Sequence, residues 1–181
     1  MNVYSTKVEL EMTINDLYRI IFWPVDGARQ TDWSDDYSNR EVLVNFENAT
    51  LNSQDGTVKN LWGRQYKVIA RANGVINNAK RALENGVAES FVERITAEAR
   101  FHRAAAYYKL LIKFGDVPLV DSDIDVETAL TMGRTDKATV LKFAYDDFDA
   151  AAAVLPTAHT GQKRATKGAA LALKARLALY M

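Results

Sequence analysis

Residues 97–120 constrain the fold most, because they describe a helix that its neighbours must approach from more than one side. The stretch reads AEARFHRAAAYYKLLIKFGDVPLV. Its alanines let adjacent helices come close, which favours a place at the centre of a bundle or helical array. Gly115 and Pro118 predict where the helix ends, since glycine adopts the left-handed cap conformation at low cost and proline cannot continue the hydrogen-bond ladder.

Two apolar lines run along this central helix at the helical period. One line consists of Ala97, Phe101, Ala104, Tyr108 and Leu111. The other consists of Ile95, Ala99, His102, Ala106 and Leu110. Because a helix with two apolar lines must bury both, this helix is expected to be covered on two sides.

The same period recurs elsewhere and predicts an all-α fold. A first helix is expected over residues 6–21, capped by Thr6 and carrying the apolar stripe of Leu10, Ile14, Leu17 and Ile21. Two helix–turn–helix pairs follow, over residues 58–114 and 136–181. In each pair a helix of large residues precedes an alanine-rich one, which indicates a TPR-like helical-repeat array, although the strict 34-residue signature is absent.

Individual residues in these helices carry further expectations. Gly63 and Gly74 are expected to mark close helix contacts, and Asn73 to hydrogen-bond to a neighbouring helix. Residues 121–134 are predicted to be a polar linker. The carboxylates Asp146, Asp147 and Asp149 are predicted to form a solvated helix face.

Composition excludes several classes of protein. Lys+Arg and Asp+Glu both number 23, so no net charge steers the chain towards nucleic acid. There is no cysteine, which rules out a disulfide, a thiolate zinc site and a cysteine nucleophile. The N-terminal segment MNVYSTKVELEM lacks the pattern of a signal peptide, and no apolar run approaches the roughly 20 residues that cross a bilayer.

The long segment of residues 22–57 is the candidate site. It has no helical period and far exceeds the roughly 2–8 residues that usually connect bundle helices, and such loops are often functional. Aromatic rings that stack on sugar C–H faces, beside polar groups that bond hydroxyls, would form a glycan site. The predicted ligand-binding residues are Trp33, Tyr37, Asp32, Asp35, Asp36, Asn39 and Arg40.

Two alternatives stay open for this loop. Its aromatics would instead pin a long connection onto the helices, and this packing role is favoured for Trp23, which lies next to Phe22 and Pro24. Calcium would suit the three clustered aspartates, but the EF-hand spacing is absent, so no metal and no cofactor is predicted.

Several motifs together resemble one family. Residues 97–120 are close to a signature of the SusD/RagB nutrient-uptake proteins, and the sequence continues with GRT at 133–135, DFDA at 147–150 and RATKGAAL at 164–171. Residues 69–73, IARAN, match an upstream helix of that family. The sequence departs from the family at His102, where an aliphatic residue is usual, and at Gln162 and Lys163, where a glycine usually precedes the RAT motif.

The resemblance implies a non-enzymatic glycan-binding protein. Members are surface-exposed outer-membrane lipoproteins that capture oligosaccharides, or peptides in RagB-type branches, for a SusC-type TonB-dependent transporter. Residues 1–181 would then be the N-terminal part of a SusD-like domain, without its signal peptide, lipidated cysteine and C-terminal half. The last helix is accordingly expected to lack a partner for Leu171, Leu173, Leu177 and Tyr180.

Two other functional classes compete with glycan capture. The first is a TPR-like scaffold that binds another protein. The second is an enzyme that uses Glu98 and His102, four residues apart, but no second acid or nucleophile accompanies them. Structural ion pairs, such as Arg94 with Glu98, are the favoured role for the charged residues of this helix, including Arg100 and Arg103.

Overall fold

The computed structural model describes residues 4–19, 22–23 and 52–181, and this part of the chain is helical with no strand. The all-α, TPR-like prediction is confirmed. A short helix, α4, lies in the stretch expected to be a linker. The helices are α1 (Lys7–Leu17), α2 (Gly56–Glu84), α3 (Glu89–Phe114), α4 (Val126–Thr131), α5 (Lys137–Val154) and α6 (Lys167–Leu179).

Helix α3 is the centre of the array. It packs on α2 and on α5 along most of its length, and it also contacts α1 and α6. All residues of its two predicted apolar lines are buried, His102 included. Gly115 ends the helix with φ at +66°, and its backbone N–H donates to the Leu111 carbonyl at 3.1 Å. The prediction of a central helix covered on two sides is confirmed.

Helix α1 begins as predicted and ends earlier. Thr6 and Glu9 form a reciprocal capping box, in which each side chain accepts from the other's backbone N–H. The helix stops at Leu17 instead of continuing to residue 21, because the next N–H groups bond three residues back: Tyr18 to Asn15 and residue 19 to Asp16. This tighter turn lets the Tyr18 side chain reach the interior of the protein.

Helix α2 begins at Gly56, two residues before the predicted start, because Asp55 accepts from the Thr57 N–H at 2.7 Å and caps it. The expectation of a close helix contact at Gly63 is wrong, since a Cβ there would meet no atom of the described neighbouring helices within 4 Å. Gly74 does mark a close approach, but to the ring of Tyr4, whose Oη would lie 2.5 Å from an added Cβ. Tyr4 precedes α1, so this contact is not one between helices.

A buried polar cluster joins α2, α3 and α5. Arg103 on α3 donates through Nε and Nη2 to the carboxylate of Asp147 on α5, at 2.7 and 2.9 Å. Its Nη1 donates to the side-chain oxygen of Asn73 at 2.7 Å. Asn73 also donates to the Val120 carbonyl at 3.0 Å. The prediction for Asn73 is confirmed.

The prediction of a solvated acidic face on α5 is wrong for one of its three residues. Asp147 is 2% exposed, because it turns inward to meet Arg103. Asp146 and Asp149 do lie at the surface, where they pair with lysines. A carboxylate can leave water only where cations replace the lost hydration, and the second cation here is Arg100, at 3.0 Å from Asp147.

The four residues at the last helix that were expected to lack a partner differ in their burial. Leu177 is fully buried, which corrects the expectation that it lacks a partner, while Leu173 is partly buried against the core. Leu171 and Tyr180 are 46% and 56% exposed. Among the described helices, none is long and apolar enough to cross a membrane.

Candidate binding site

All seven predicted ligand-binding residues lie outside the described residues, so their role stays a prediction. They are Trp33, Tyr37, Asp32, Asp35, Asp36, Asn39 and Arg40. What the structure does describe is the chain on either side of them: residues 22–23 before and residues 52–55 after. The packing of those flanking residues determines where the segment leaves and rejoins the helical array.

Trp23 anchors the segment where it leaves the array. Its indole Nε1 donates to the Leu17 carbonyl and to Nδ1 of His102, both at 3.1 Å. Its ring stacks on Phe101 with centroids 5.7 Å apart and planes at 10°. The Lys109 ammonium lies 4.1 Å from the ring centroid. These contacts confirm the packing role that was predicted for Trp23.

His102 is the polar residue beneath this anchor. Burial first, and then the nearby cations Lys109 and Arg164, lower its pKa to about 3. The imidazole is therefore neutral near pH 7. Since Nδ1 accepts the proton of Trp23, the imidazole's own proton is assigned to Nε2. That nitrogen has no hydrogen-bond partner within the described ranges.

Glu98 is at the centre of a second buried cluster. No hydrogen bond among the described residues joins it to His102. Its carboxylate is 0% exposed and pairs with Arg94, which confirms the expected ion pair. It accepts from Tyr18 Oη at 2.9 Å and from Arg164 Nη1 at 2.8 Å. These contacts join α1, α3 and the connection before α6, so Glu98 has a structural role.

Tyr18 and Arg164 complete this cluster, and neither was predicted from the sequence. Tyr18 Oη also accepts from the Ala165 N–H at 2.8 Å, and burial raises the pKa of its phenol. Arg164 reaches Glu11 at 2.7 Å and Asn15 at 2.5 Å. The available signal for Arg164 was its place in the RAT motif of residues 164–166.

A basic cleft opens beside the anchor. It has a volume of about 390 Å³. Its wall is one face of the first half of α2 together with two residues that follow α1. The residues that line the basic cleft are Arg19, Phe22, Lys59, Asn60, Gly63, Arg64, Lys67 and Arg71. Five of these eight are cationic and none is acidic.

Asp16 neutralises part of the charge of this lining. Asp16 pairs with Arg19 at 3.1 Å and with Arg71 at 2.5 Å. The Arg71 guanidinium also lies 5.2 Å from the Phe22 ring centroid. Arg64 and Lys67 have no ion-pair partner among the described residues. As far as the described residues go, the cleft therefore carries positive charge that Asp16 balances only in part.

Comparison with known proteins identifies the family. A family model described as starch-binding and associating with the outer membrane matches residues 8–179. The chain belongs to the SusD-like family. A SusD-like protein of Formosa agariphila is 30% identical over 192 residues, covering 97% of this chain and 36% of that protein.

Solved structures share the same fold. A SusD-like carbohydrate-binding protein of Bacteroides fragilis superposes with a TM-score of 0.82 at 25% identity, over 99% of this chain and 38% of that one. A laminarin-binding SusD-like protein superposes with a TM-score of 0.84 at 24% identity, over 98% of this chain and 41% of that one. The chain spans 26–36% of the length of three curated SusD-like relatives.

The first prediction for this SusD-like chain tests the Glu98 cluster. Replacing Tyr18 by phenylalanine is expected to lower the free energy of unfolding by about 2 kcal/mol, because Glu98 and the Ala165 N–H both lose a buried partner. Urea denaturation measures this. Tyr180→Phe, at an exposed position, is the control and should change stability by less than about 0.5 kcal/mol. Equal stability of the two variants would contradict the structural role of the Tyr18 hydroxyl.

Proposed function

We propose that the complete protein captures oligosaccharides at the cell surface and delivers them to a TonB-dependent transporter of the outer membrane. Binding, not catalysis, is the proposed activity. The observation that carries the proposal is the family match over residues 8–179, whose description is starch binding in association with the outer membrane. The Bacteroides fragilis relative, named as carbohydrate-binding, supports the same ligand class.

The proposed binding residues are the aromatic and polar side chains of the segment between α1 and α2. Trp33 and Tyr37 would supply stacking surfaces, and the acids, Asn39 and Arg40 would bond hydroxyls. The anchoring of Trp23 on Phe101 and His102 supports this placement, because it fixes the chain ten residues before Trp33 onto the central helix. A loop that departs from a rigid point loses less conformational entropy when it binds.

The second prediction tests these residues. Trp33→Ala in the complete protein is expected to weaken oligosaccharide binding at least about tenfold, a loss of about 1.4 kcal/mol, because a stacking surface is removed. Isothermal titration calorimetry measures the affinity, and Leu130→Ala is the control for loss of an exposed apolar side chain outside the segment. Unchanged affinity in Trp33→Ala would place the sugar elsewhere. Binding of peptides with no binding of glycans would favour a RagB-type function.

A protein-binding scaffold is the second candidate function, and exposed apolar residues on α4 favour it. Val126 and Leu130 are 76% and 82% exposed in a helix of six residues. Such side chains suit a protein interface better than a solvated surface. Leu130→Asp should then abolish co-purification with a partner while leaving oligosaccharide affinity unchanged. If the partner is the transporter, this surface and the glycan site belong to one function.

A further inference from the structure

We propose that the basic cleft selects anionic oligosaccharides, those that carry uronate carboxylates or sulfate esters, over neutral ones. This inference rests on the proposed function, since it names the ligand class of the same capture protein. In this proposal the basic cleft binds the charged groups of the sugar. The stacking surfaces remain Trp33 and Tyr37 of residues 22–57, called here the aromatic segment. The eight residues named above for its lining are all described residues.

The positive charge of the cleft is local, and the composition of the whole chain does not reveal it. The whole chain carries 23 cationic and 23 acidic residues. Helix α2, in contrast, contains six cations and a single acid, Glu84, at its last position. Four of the five cations that line the cleft belong to this helix and precede its last turns: Lys59, Arg64, Lys67 and Arg71. A helix with this distribution attracts an anion to one face.

The spacing of these cations has a cost that an anion would relieve. Arg64 and Lys67 are three residues apart, and Lys67 and Arg71 are four apart, so each pair lies side by side on the helix. Like charges at these spacings destabilise a helix. Within the described ranges, Asp16 is the acid that pairs with this lining, and it is shared between Arg19 and Arg71. No described carboxylate pairs with Arg64 or Lys67, so an anionic group of a ligand would relieve the repulsion between them.

The shape of the cleft suits a sugar better than a bare inorganic ion. A volume of about 390 Å³ falls within the roughly 300–1,000 Å³ of small-molecule sites. Phe22 lies beneath this lining and is only 3% exposed, and it supports the Arg71 guanidinium, which lies 5.2 Å from the centroid of its ring. Gly63 keeps the floor open, because no atom lies within 4 Å of the place where its Cβ would be. Asn60 adds a group that can bond a hydroxyl.

The test compares matched oligosaccharides on the complete protein. Pairs that share a backbone are titrated by calorimetry, one member bearing uronate or sulfate groups and the other neutral. The anionic member is expected to bind about tenfold more tightly. Raising the salt from about 0.1 M to about 1 M should remove most of that preference, because it shortens the range of the attraction.

Two double variants locate the effect. Arg64→Gln with Lys67→Gln should abolish the preference, while Lys80→Gln with Arg81→Gln should retain it. The second pair makes the same change of charge on the same helix, at exposed positions outside the cleft. Glutamine preserves helix propensity, and circular dichroism checks that both variants fold.

Each outcome decides between the two proposals. Tighter binding of neutral sugars, or equal loss in both double variants, overturns the anionic selectivity but leaves glycan capture intact. Inorganic sulfate that competes as well as the sulfated sugar shows an anion site without sugar recognition and overturns the ligand class. An acidic peptide that binds while every glycan fails overturns both.

Discussion

Asp147→Asn is expected to lower the free energy of unfolding by about 3–5 kcal/mol, the largest single effect in this structure. The substitution keeps the size of the side chain and removes its charge. Arg103, whose side chain is 5% exposed, then remains buried without a counter-ion. Removing one partner of a buried ion pair costs this much because the other charge stays desolvated.

A substitution of Arg103, the partner of Asp147 on α3, tests the same ion pair. Arg103→Met removes the cation that joins Asp147 to Asn73 and that lies 4.7 Å from the ring centroid of Phe143. The single variant is expected to lose a similar amount of stability. Combining it with Asp147→Leu should recover much of the loss, since a well-packed apolar pair has no charge to desolvate. Urea denaturation of the original protein, Arg103→Met, Asp147→Leu and the double variant gives the coupling energy between the two sites.

The control for this cycle is Asp146→Asn, one residue away. Asp146 is exposed and pairs only with Lys142 in the described part of the chain, so a change below about 0.5 kcal/mol is expected. A loss smaller than about 1 kcal/mol in Asp147→Asn would show that water or Arg100 compensates, and it would contradict the buried-pair account.

The helical scaffold could be predicted because its signals are local. Apolar residues three and four apart identified the buried faces of α1 and α3, and Gly115 with a following proline identified the end of α3. The burial of Asp147 could not be predicted in this way. It depends on Arg103, which precedes it by 44 residues, and a helix periodicity does not report which side chain on another helix will meet it.

The candidate site was predicted less completely, and for a similar reason. The aromatic segment could be recognised by its length and composition, but its seven proposed residues lie outside the described structure. The basic cleft was missed, because the balance of 23 cations and 23 acids conceals the six cations of α2. Arg19 and Phe22, which line the same cleft, follow the end of α1 at Leu17, and that early end was not predicted.

His102 should make the stability of this protein depend on pH, because its imidazole is buried in the neutral form. The folded-state pKa is about 3, against about 6.5 for histidine in an unfolded chain. The folded state therefore binds fewer protons. The stabilisation from the neutral imidazole is fully present above about pH 6.5 and is lost as the pH falls from there towards 3.

The free energy of unfolding is expected to fall by about 1.4 kcal/mol for each pH unit in that window. About 3 kcal/mol of stability is therefore lost between pH 6.5 and pH 4. Protonation is disfavoured by burial first, and then by Lys109 and Arg164. It would also place a proton on Nδ1, which accepts from the Trp23 indole at 3.1 Å. A charged imidazole must therefore break the anchor that holds the start of the aromatic segment.

His102→Leu isolates this contribution. As the pH falls, the free energy of unfolding of the variant should decrease less steeply than that of the original protein, by about 1.4 kcal/mol per pH unit. Urea denaturation at pH 7, 6, 5 and 4 measures this. His159→Gln removes the other histidine of the chain and should leave the slope in place. Parallel stability curves for the original protein and His102→Leu would show that the buried imidazole does not resist protonation. If the slopes differ as expected, acid should also release Trp23, and its fluorescence should change over the same pH range before the helices unfold.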